Sequence, residues 1–492
     1  MLSAHHTFKH IIHPFNLQYI KQPFSTTSST LPKRLIPKLN QSVTRLGFGG
    51  YRVSQIESHG AALQYALEQG INLIDTGANF ENGQSEKIIG DILSSSSINR
   101  KDVTLVTKAG YLSKQDIERL DTSKDDYVHV QGNSYHGISP RILQDQLEQS
   151  LTRLQTSYVD IFMINAPERM LVSSKFHRGE LYKQLGHSFS FLDTMVQQGV
   201  IKGYGICSNT MACKDAADHV SLSSVLRACD HLDNFCAVEA PFNLYEQNLL
   251  QDAVLMDSLD AHGIFLMTNR PLNAITPQGQ IRGLYNHMID PTDMEDLRQA
   301  FENVAQLEMD MIAELPEDED DSMASTFVWS QVLSENLQRL GQHHFATRHY
   351  LTSQVQPTVA KDVARFRKKY EDVPAYMEWA DVYQKQMDHL MTCLVNYAYM
   401  DTLKKNNDMD RILSALVSWP SSHSLKDDNK TSCYSPLTVK ALEIYLAQQE
   451  IGSIITGMRQ RDYVDDALLA MKEYQQSPLS EQQLLDINRV LV

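Results

Sequence analysis

The stretch Gly70-Ile71-Asn72-Leu73-Ile74-Asp75-Thr76-Gly77-Ala78-Asn79-Phe80-Glu81-Asn82-Gly83-Gln84-Ser85-Glu86 decides the fold. Apolar and β-branched residues run into an aspartate, a Gly/Asn-rich turn follows, and a helical pattern occupies 85–93. The order is strand, loop, helix. An acidic residue at the C-terminal end of such a strand faces the side of an α/β sheet or barrel where ligands bind and chemistry is done. Asp75 is therefore the anchor of the reading.

Working outward, the same alternation recurs. Candidate strands lie at 46–51, 71–76, 103–108, 159–164, 201–207, 235–240, 263–268 and 452–456, with helical patterns such as 59–69, 140–154, 181–198, 248–262 and 437–449 between them. Strands alternating with helices imply parallel βα units, and eight such units predict an α/β fold, a closed (β/α)8 TIM barrel. The seventh and eighth strands are separated by far more chain than a βα connection needs. Residues 291–428 are rich in Leu, Met, Gln, Lys and Glu at helical periods, which predicts an all-helical insertion between strands 7 and 8. The barrel then comprises 40–290 and 429–492. Within the insertion the acidic run 316–321 lacks the glycine and spacing of an EF-hand loop and reads as a solvated linker.

The chain has 492 residues and a formal net charge of −16. Its first acidic residue is Glu57, whereas Lys9, Lys21, Lys33, Arg34, Lys38, Arg45 and Arg52 precede it. Residues 1–39 are acid-free, basic and hydroxyl-rich, the composition of a transit peptide for the mitochondrial matrix; an ordinary disordered tail is the alternative. The remaining acidic body argues against nucleic-acid binding, which needs clustered Lys and Arg. No apolar run approaches the ~18 residues that span a bilayer. The six cysteines form no C-x-x-C pair, so neither a disulfide framework nor a structural zinc site is expected. His343, His344 and His349 form a local cluster, but the five-residue step from His344 to His349 turns them apart on a helix, and no metal is expected.

Several stretches, in order, resemble the signature of the aldo-keto reductases. The opening stretch fits a D-T-A-x-x-Y-x-x-G-x-S-E frame at Asp75, Thr76, Gly77, Gly83, Ser85 and Glu86, with Phe80 in place of the family's Tyr. The third strand ends Val106-Thr107-Lys108, at the position of the family's catalytic Lys. Residues 146–154 followed by Val159-Asp160-Ile161 resemble its S-L-x-R-L…D-L stretch. Where the family has His-x-Pro after the fourth strand, the chain reads Asn165-Ala166-Pro167. The resemblance covers about 46–268 and 437–469. It implies catalytic positions at Asp75, Phe80, Lys108 and Asn165, keeping the Asp and the Lys and lacking the Tyr and the His.

The resemblance also implies a nicotinamide cofactor and a small carbonyl substrate. Cofactor positions then fall at Tyr51, at Asp75, and at Ser208 and Asn209, which would hold the carboxamide. They include Glu239, where many members have Gln, and Asn269, where a ring-stacking aromatic usually stands. Arg270, Leu272, Gly457, Arg459 and Asp466 complete the set. Arg459, beside a helix N-terminus, suits the 2′-phosphate of NADP, so NADP is expected over NAD; a helix-capping or surface Arg is the alternative.

Hydride addition to a carbonyl creates an alkoxide that must be protonated or stabilised, and Phe80 has no proton to give. Losing a positioned acid costs ~10²- to 10⁴-fold, whereas holding donor and acceptor together still supplies ~7–11 kcal/mol. Tyr111, Tyr135 and His136, in the long loop after the third strand, are candidates for a replacement acid, with pocket lining as their alternative role. Two functions are in view. One is NAD(P)H-dependent reduction of an aldehyde or ketone; the other is a cofactor-binding protein of weakened turnover that meets a protein partner through its helical insertion.

Overall fold

The computed structural model describes residues 30–120, 126–174, 176–275, 279–285, 294–315, 326–419 and 436–491. The expected leader is outside the described residues over 1–29, as is the acidic linker 316–321. The compact unit is Leu31–Val492. It opens with an antiparallel hairpin, β1 (Lys33–Ile36) and β2 (Gln41–Thr44), turned by Pro37–Leu39. Ile36 and Val43 are fully buried in one cluster with Leu73, Val106, Ile161 and Phe265, so the hairpin plugs the N-terminal end of the barrel. Residues 33–39, read from composition as part of a leader, are therefore built into the fold.

The barrel begins with β3 (Leu46–Gly49), β4 (Leu73–Asp75) and β5 (Thr104–Ala109). The chain then leaves it for a small antiparallel sheet of β6 (Tyr111–Ser113), β7 (Val128–Gln131) and β8 (Ser134–His136). This sheet occupies what reads in sequence as a loop, because strands of three or four residues are too short to display alternation. The barrel resumes with β9 (Val159–Asn165), β10 (Ile201–Cys207), β11 (Phe235–Pro241) and β12 (Phe265–Asn269). After the hairpin β13 (Asn273–Ile275) and β14 (Ile281–Gly283) come the inserted helices, and β15 (Ser453–Gly457) closes the ring between β12 and β3. All eight expected barrel strands are present and parallel, in the order predicted. The helical pattern at 248–262 is broken in two at Asp252, whose side chain leaves the helix to accept from the Leu255 amide at 3.2 Å.

Strand alternation stacks the barrel interior in layers. The apolar members Leu73, Val106, Ile161, Met163, Ala237, Phe265, Met267 and Ile455 share one buried cluster. Stepping two residues along each strand gives Asp75, Lys108, Asn165, Glu239 and Asn269, which form the next layer up, at the C-terminal mouth. A polar layer thus rests on an apolar floor.

The insertion has its own core. Helices Met294–Glu314, Trp329–Glu335, Gln356–Lys369 and Pro374–Leu416 meet around Val304, Phe327, Leu333, Phe366, Tyr383 and Leu390. The last of these, at ~1.5 Å per residue, is long enough to leave that core and reach the barrel, where Leu413 joins the barrel cluster. Asn406 on it is fully buried, and its Nδ2 donates to the carbonyls of Gly283 and Tyr285, each at 2.7 Å. Among the described residues no helix is long and apolar enough to cross a membrane.

Candidate active site

Lys108 lies at the centre of the polar layer, 2 % exposed, paired with Asp75 and 3.1 Å from Oε2 of Glu239. Two carboxyl groups and one ammonium share this buried layer. Burial holds the Asp75 carboxyl well above the usual carboxylate range, and Glu239 pushes it further, against the pull of Lys108. For Lys108 burial acts to lower the pKa, but the two carboxylates outweigh it and keep the ammonium charged. The layer therefore retains a proton on its carboxyl pair at neutral pH.

The departures from the family frame sit around this triad. Asn269 Nδ2 donates to Glu239 Oε1 at 2.7 Å, and the Cys207 thiol contacts the same oxygen at 3.4 Å. Burial and then Glu239 raise Cys207 well above the usual thiol range, so it stays protonated. Cys207 was not singled out from sequence, although its place one step above Gly205 on β10 puts it in the same layer. Phe80 is 9 % exposed and its ring covers Lys108, with Nζ 5.4 Å from the centroid. Tyr51, 62 % exposed, meets Phe80 edge-on at 5.2 Å. The turn that presents Phe80 carries Glu81 and Asn82 at φ 48° and 54°, then Gly83 at φ 82°. Non-glycine residues in this region cost ~1–3 kcal/mol each, strain that locates at the mouth. Tyr51, Arg52, Asn79, Glu81 and Asn82 line a cleft of about 250 Å³ there.

Asn165, 8 % exposed, reaches Asn79 Oδ1 through Nδ2 at 3.4 Å. Its backbone carbonyl accepts from His136 Nε2 at 2.8 Å. Burial drives His136 down to about 4, so it is neutral with its Nε2 proton committed to that carbonyl, and it is not a replacement acid. Tyr111 accepts from Arg169 Nε at 3.1 Å and packs edge-on to His136. Tyr135 lies between the rings of Tyr127 and His129. None of these three side chains bonds Asp75, Lys108 or Glu239.

Of the cofactor positions, Ser208 is fully buried and Asn209 is held by Glu168, a residue to which the sequence assigns no role. Glu168 Oε1 accepts from the Asn209 backbone amide at 2.9 Å and from its side chain at 3.1 Å. Burial raises the Glu168 carboxyl, against those hydrogen bonds. Asn269 cannot stack on a ring and instead serves Glu239. Arg270, at φ 56°, is committed to Glu246 at 2.7 Å. Leu272 packs half-buried against the barrel cluster, Gly457 is exposed with open space where a side chain would begin, and Asp466 is fully buried. Arg459 is half-buried, and burial lowers its guanidinium, with the positive charges of Arg52 and Arg348 acting in the same direction. The other motif residues brace the scaffold: Arg153 NH2 and Nε meet the buried Glu86 at 2.6 and 2.7 Å, and Asp160 binds Arg100 at 2.9 Å and Lys202 at 2.6 Å.

The sequence model of the Aldo/keto reductase family matches residues 45–354. An uncharacterized oxidoreductase of Bacillus subtilis is 23% identical over 281 residues, 56% of this chain and 78% of the relative. An aldo-keto reductase of Metarhizium robertsii is 29% identical over 208 residues, 36% of this chain and 53% of the relative. Among solved structures, an aldo-keto reductase from Bacillus halodurans in its holo form superposes with a TM-score of 0.50 at 15% identity, covering 94% of this chain and 96% of that one, a likeness of fold.

Proposed function

Because the chain belongs to the aldo-keto reductase family, a family of nicotinamide-dependent oxidoreductases, we propose that it is an NADP(H)-dependent enzyme that passes hydride to an aldehyde or ketone and turns over slowly. The observation that carries this reading is Lys108, kept charged and buried beneath Phe80 at the C-terminal mouth.

The residues present suit the cofactor. Oε2 of Glu168 and Oδ1 of Asn269 are buried acceptors without a hydrogen-bond partner, and both residues sit at or beside the carboxamide positions. An amide NH₂ is the donor they lack. Glu168, Asn209 and Asn269 would hold the carboxamide, with Arg459 and Arg52 near its phosphates. When bound, a nicotinamide cofactor supplies the hydride. The chain's own part is electrostatic: the Lys108 ammonium, fixed in a dry site, stabilises negative charge developing on a substrate oxygen at the mouth. Phe80 keeps water from the ammonium and donates nothing. The cleft beside Tyr51 and Asn79 gives a small carbonyl compound a place to stand.

A second reading, a cofactor-binding protein of residual turnover working through its insertion, is favoured by Phe80 and Asn165, which remove both proton-handling positions. One experiment separates the two. NADPH is titrated by fluorescence, and reduction is followed across a panel of aldehydes and ketones for wild type and for Phe80→Tyr with Asn165→His. The enzyme reading expects binding, slow wild-type reduction and a gain of up to ~10²- to 10⁴-fold in the double variant. No reduction by either protein, with binding intact, supports the second reading; no binding by either refutes both.

A further inference from the structure

Asn406 lies fully buried within the long inserted helix Pro374–Leu416, and its amide is engaged at every position. Nδ2 donates to the carbonyls of Gly283 and Tyr285 at 2.7 Å each, and Oδ1 accepts a fork from Arg282 on β14, Nε at 3.1 Å and Nη2 at 3.0 Å. Asparagine is a poor helix former and a buried amide loses its water, so an apolar side chain would pack this helix at less cost. What the amide adds is register: one setting of the helix against the hairpin β13–β14 satisfies all four bonds.

From Arg282 the bonds run on to the mouth. Its Nη1 donates to the Tyr245 hydroxyl, in the loop after β11. The Tyr245 and Glu246 amides both donate to Oδ1 of buried Asn243 at 3.0 Å. Asn243 Nδ2 donates to Glu246 Oε2 at 2.7 Å and to the Arg270 carbonyl at 3.2 Å. Glu246 in turn takes the Arg270 guanidinium at 2.7 Å and the Ile275 amide, on β13, at 3.0 Å. Arg270 is thus held at its carbonyl and at its side chain. That matters because its φ of 56° is in the left-handed region, which a residue with a side chain leaves unless its surroundings prevent it. The residue before it is Asn269, whose Nδ2 orients Glu239 and whose buried Oδ1 is left to meet a ligand.

We infer that Asn406 is a positioning residue for the cofactor end of the site: through Arg282, Tyr245 and Glu246 the insertion holds Arg270 in its left-handed conformation and so aims Asn269 into the mouth. The inference rests on the cofactor reading for the ligand that Asn269 meets, and not for the link itself. It gives the helical insertion a part in binding although Asn406 touches no reacting group.

The test uses the full chain with Asn406→Leu, which keeps the volume and removes the amide. The milder Arg282→Met and Tyr245→Phe cut the link further along and leave the inserted helix unaltered. Hydrogen exchange of the amides over 270–284 is followed by mass spectrometry. Calorimetric titration is made with NADPH and with 2′-phosphoadenosine diphosphate ribose, the same molecule without its nicotinamide. Exchange at Asn273 and Ile275 should quicken in all three variants. NADPH should bind about tenfold more weakly in Asn406→Leu, with Tyr245→Phe intermediate and the nicotinamide-free analogue unchanged. A purely structural Asn406 weakens both ligands in step with lost stability in urea, and that result overturns the inference. So do wild-type exchange and wild-type affinities in Arg282→Met and Tyr245→Phe. If wild type binds neither ligand the cofactor reading fails, and faster exchange at Ile275 in the variants still upholds the link from the insertion to Arg270.

Discussion

Replacing Glu239 by Gln tests the electrostatics on which the site is built. Lys108 faces Asp75 on one side and Glu239 on the other, so full ionisation leaves one uncompensated negative charge in the barrel. Two carboxylates sharing one ammonium repel each other, by about 4 kcal/mol for unit charges ~4 Å apart at an effective dielectric near 20. The folded protein avoids that repulsion by holding a proton on Asp75 above the ordinary carboxylate range. Between that range and the raised value the folded chain binds more protons than the unfolded one, so this group's contribution to stability falls as pH rises through the window. Glu239→Gln keeps the side-chain shape and an acceptor for Asn269 while removing the second charge. What then lifts Asp75 is burial alone, opposed by Lys108. Urea denaturation from about pH 5 to 9 should show the variant about 1–3 kcal/mol more stable at the alkaline end, little changed at the acid end, and with a flatter pH slope. A variant that loses stability equally at every pH, with the wild-type slope intact, refutes the account of two carboxylates competing for one lysine.

Three further outcomes are expected. His136 is held at about 4 by burial, against an ordinary 6.5, so the stability it contributes is complete above about 6.5 and is lost as pH falls toward about 4, by up to ~3 kcal/mol; His136→Gln should flatten that acid slope in urea titrations, and an unchanged slope would count against it. Arg153→Met strands the fully buried Glu86 carboxylate and should cost ~3–5 kcal/mol by the same measurement, whereas a cost below about 1 kcal/mol would show that Thr107 alone satisfies it. Import into the mitochondrial matrix, motivated by the basic, acid-free start of the chain, should leave a processed protein whose new N-terminus precedes β1, because Ile36 is part of the barrel plug; an intact Met1 on the endogenous protein, by mass spectrometry, would end that proposal.

The fold was legible because barrel strands announce themselves locally. Each of the eight is a short apolar run bounded by turn residues, and β15 could be recognised although the insertion separates it from β12. Asp75 was legible for a related reason, since a charged residue ending an apolar strand has few structural excuses, whereas Lys108 was reached through the resemblance of Val106-Thr107-Lys108 to the family's frame. What stayed hidden depends on partners distant in sequence. Glu168 reads as an ordinary residue in Pro167-Glu168-Arg169 until β10 brings the Asn209 amide to it, and Cys207 shows its place only when β11 sets Glu239 alongside. His136 looked like an available acid because sequence shows its type and not its burial.

Glu239 and Asn269 each looked, alone, like the loss of a family feature. Together they form one hydrogen bond of 2.7 Å on adjacent strands, and the carboxylate so held is the second partner of Lys108. The departures are thus coupled in space: Asn269 orients Glu239, Glu239 shares Lys108 with Asp75, and Phe80 seals Lys108 from water. Simple decay of a site would discard the buried charges first, since an apolar residue of similar volume in place of such an ion pair is often neutral or stabilising. Here an extra buried carboxylate stands where an amide would suffice. The polar layer reads as a set of mutually dependent substitutions around a retained cation, with its electrostatics shifted from a phenol that gives a proton to a carboxyl pair that keeps one.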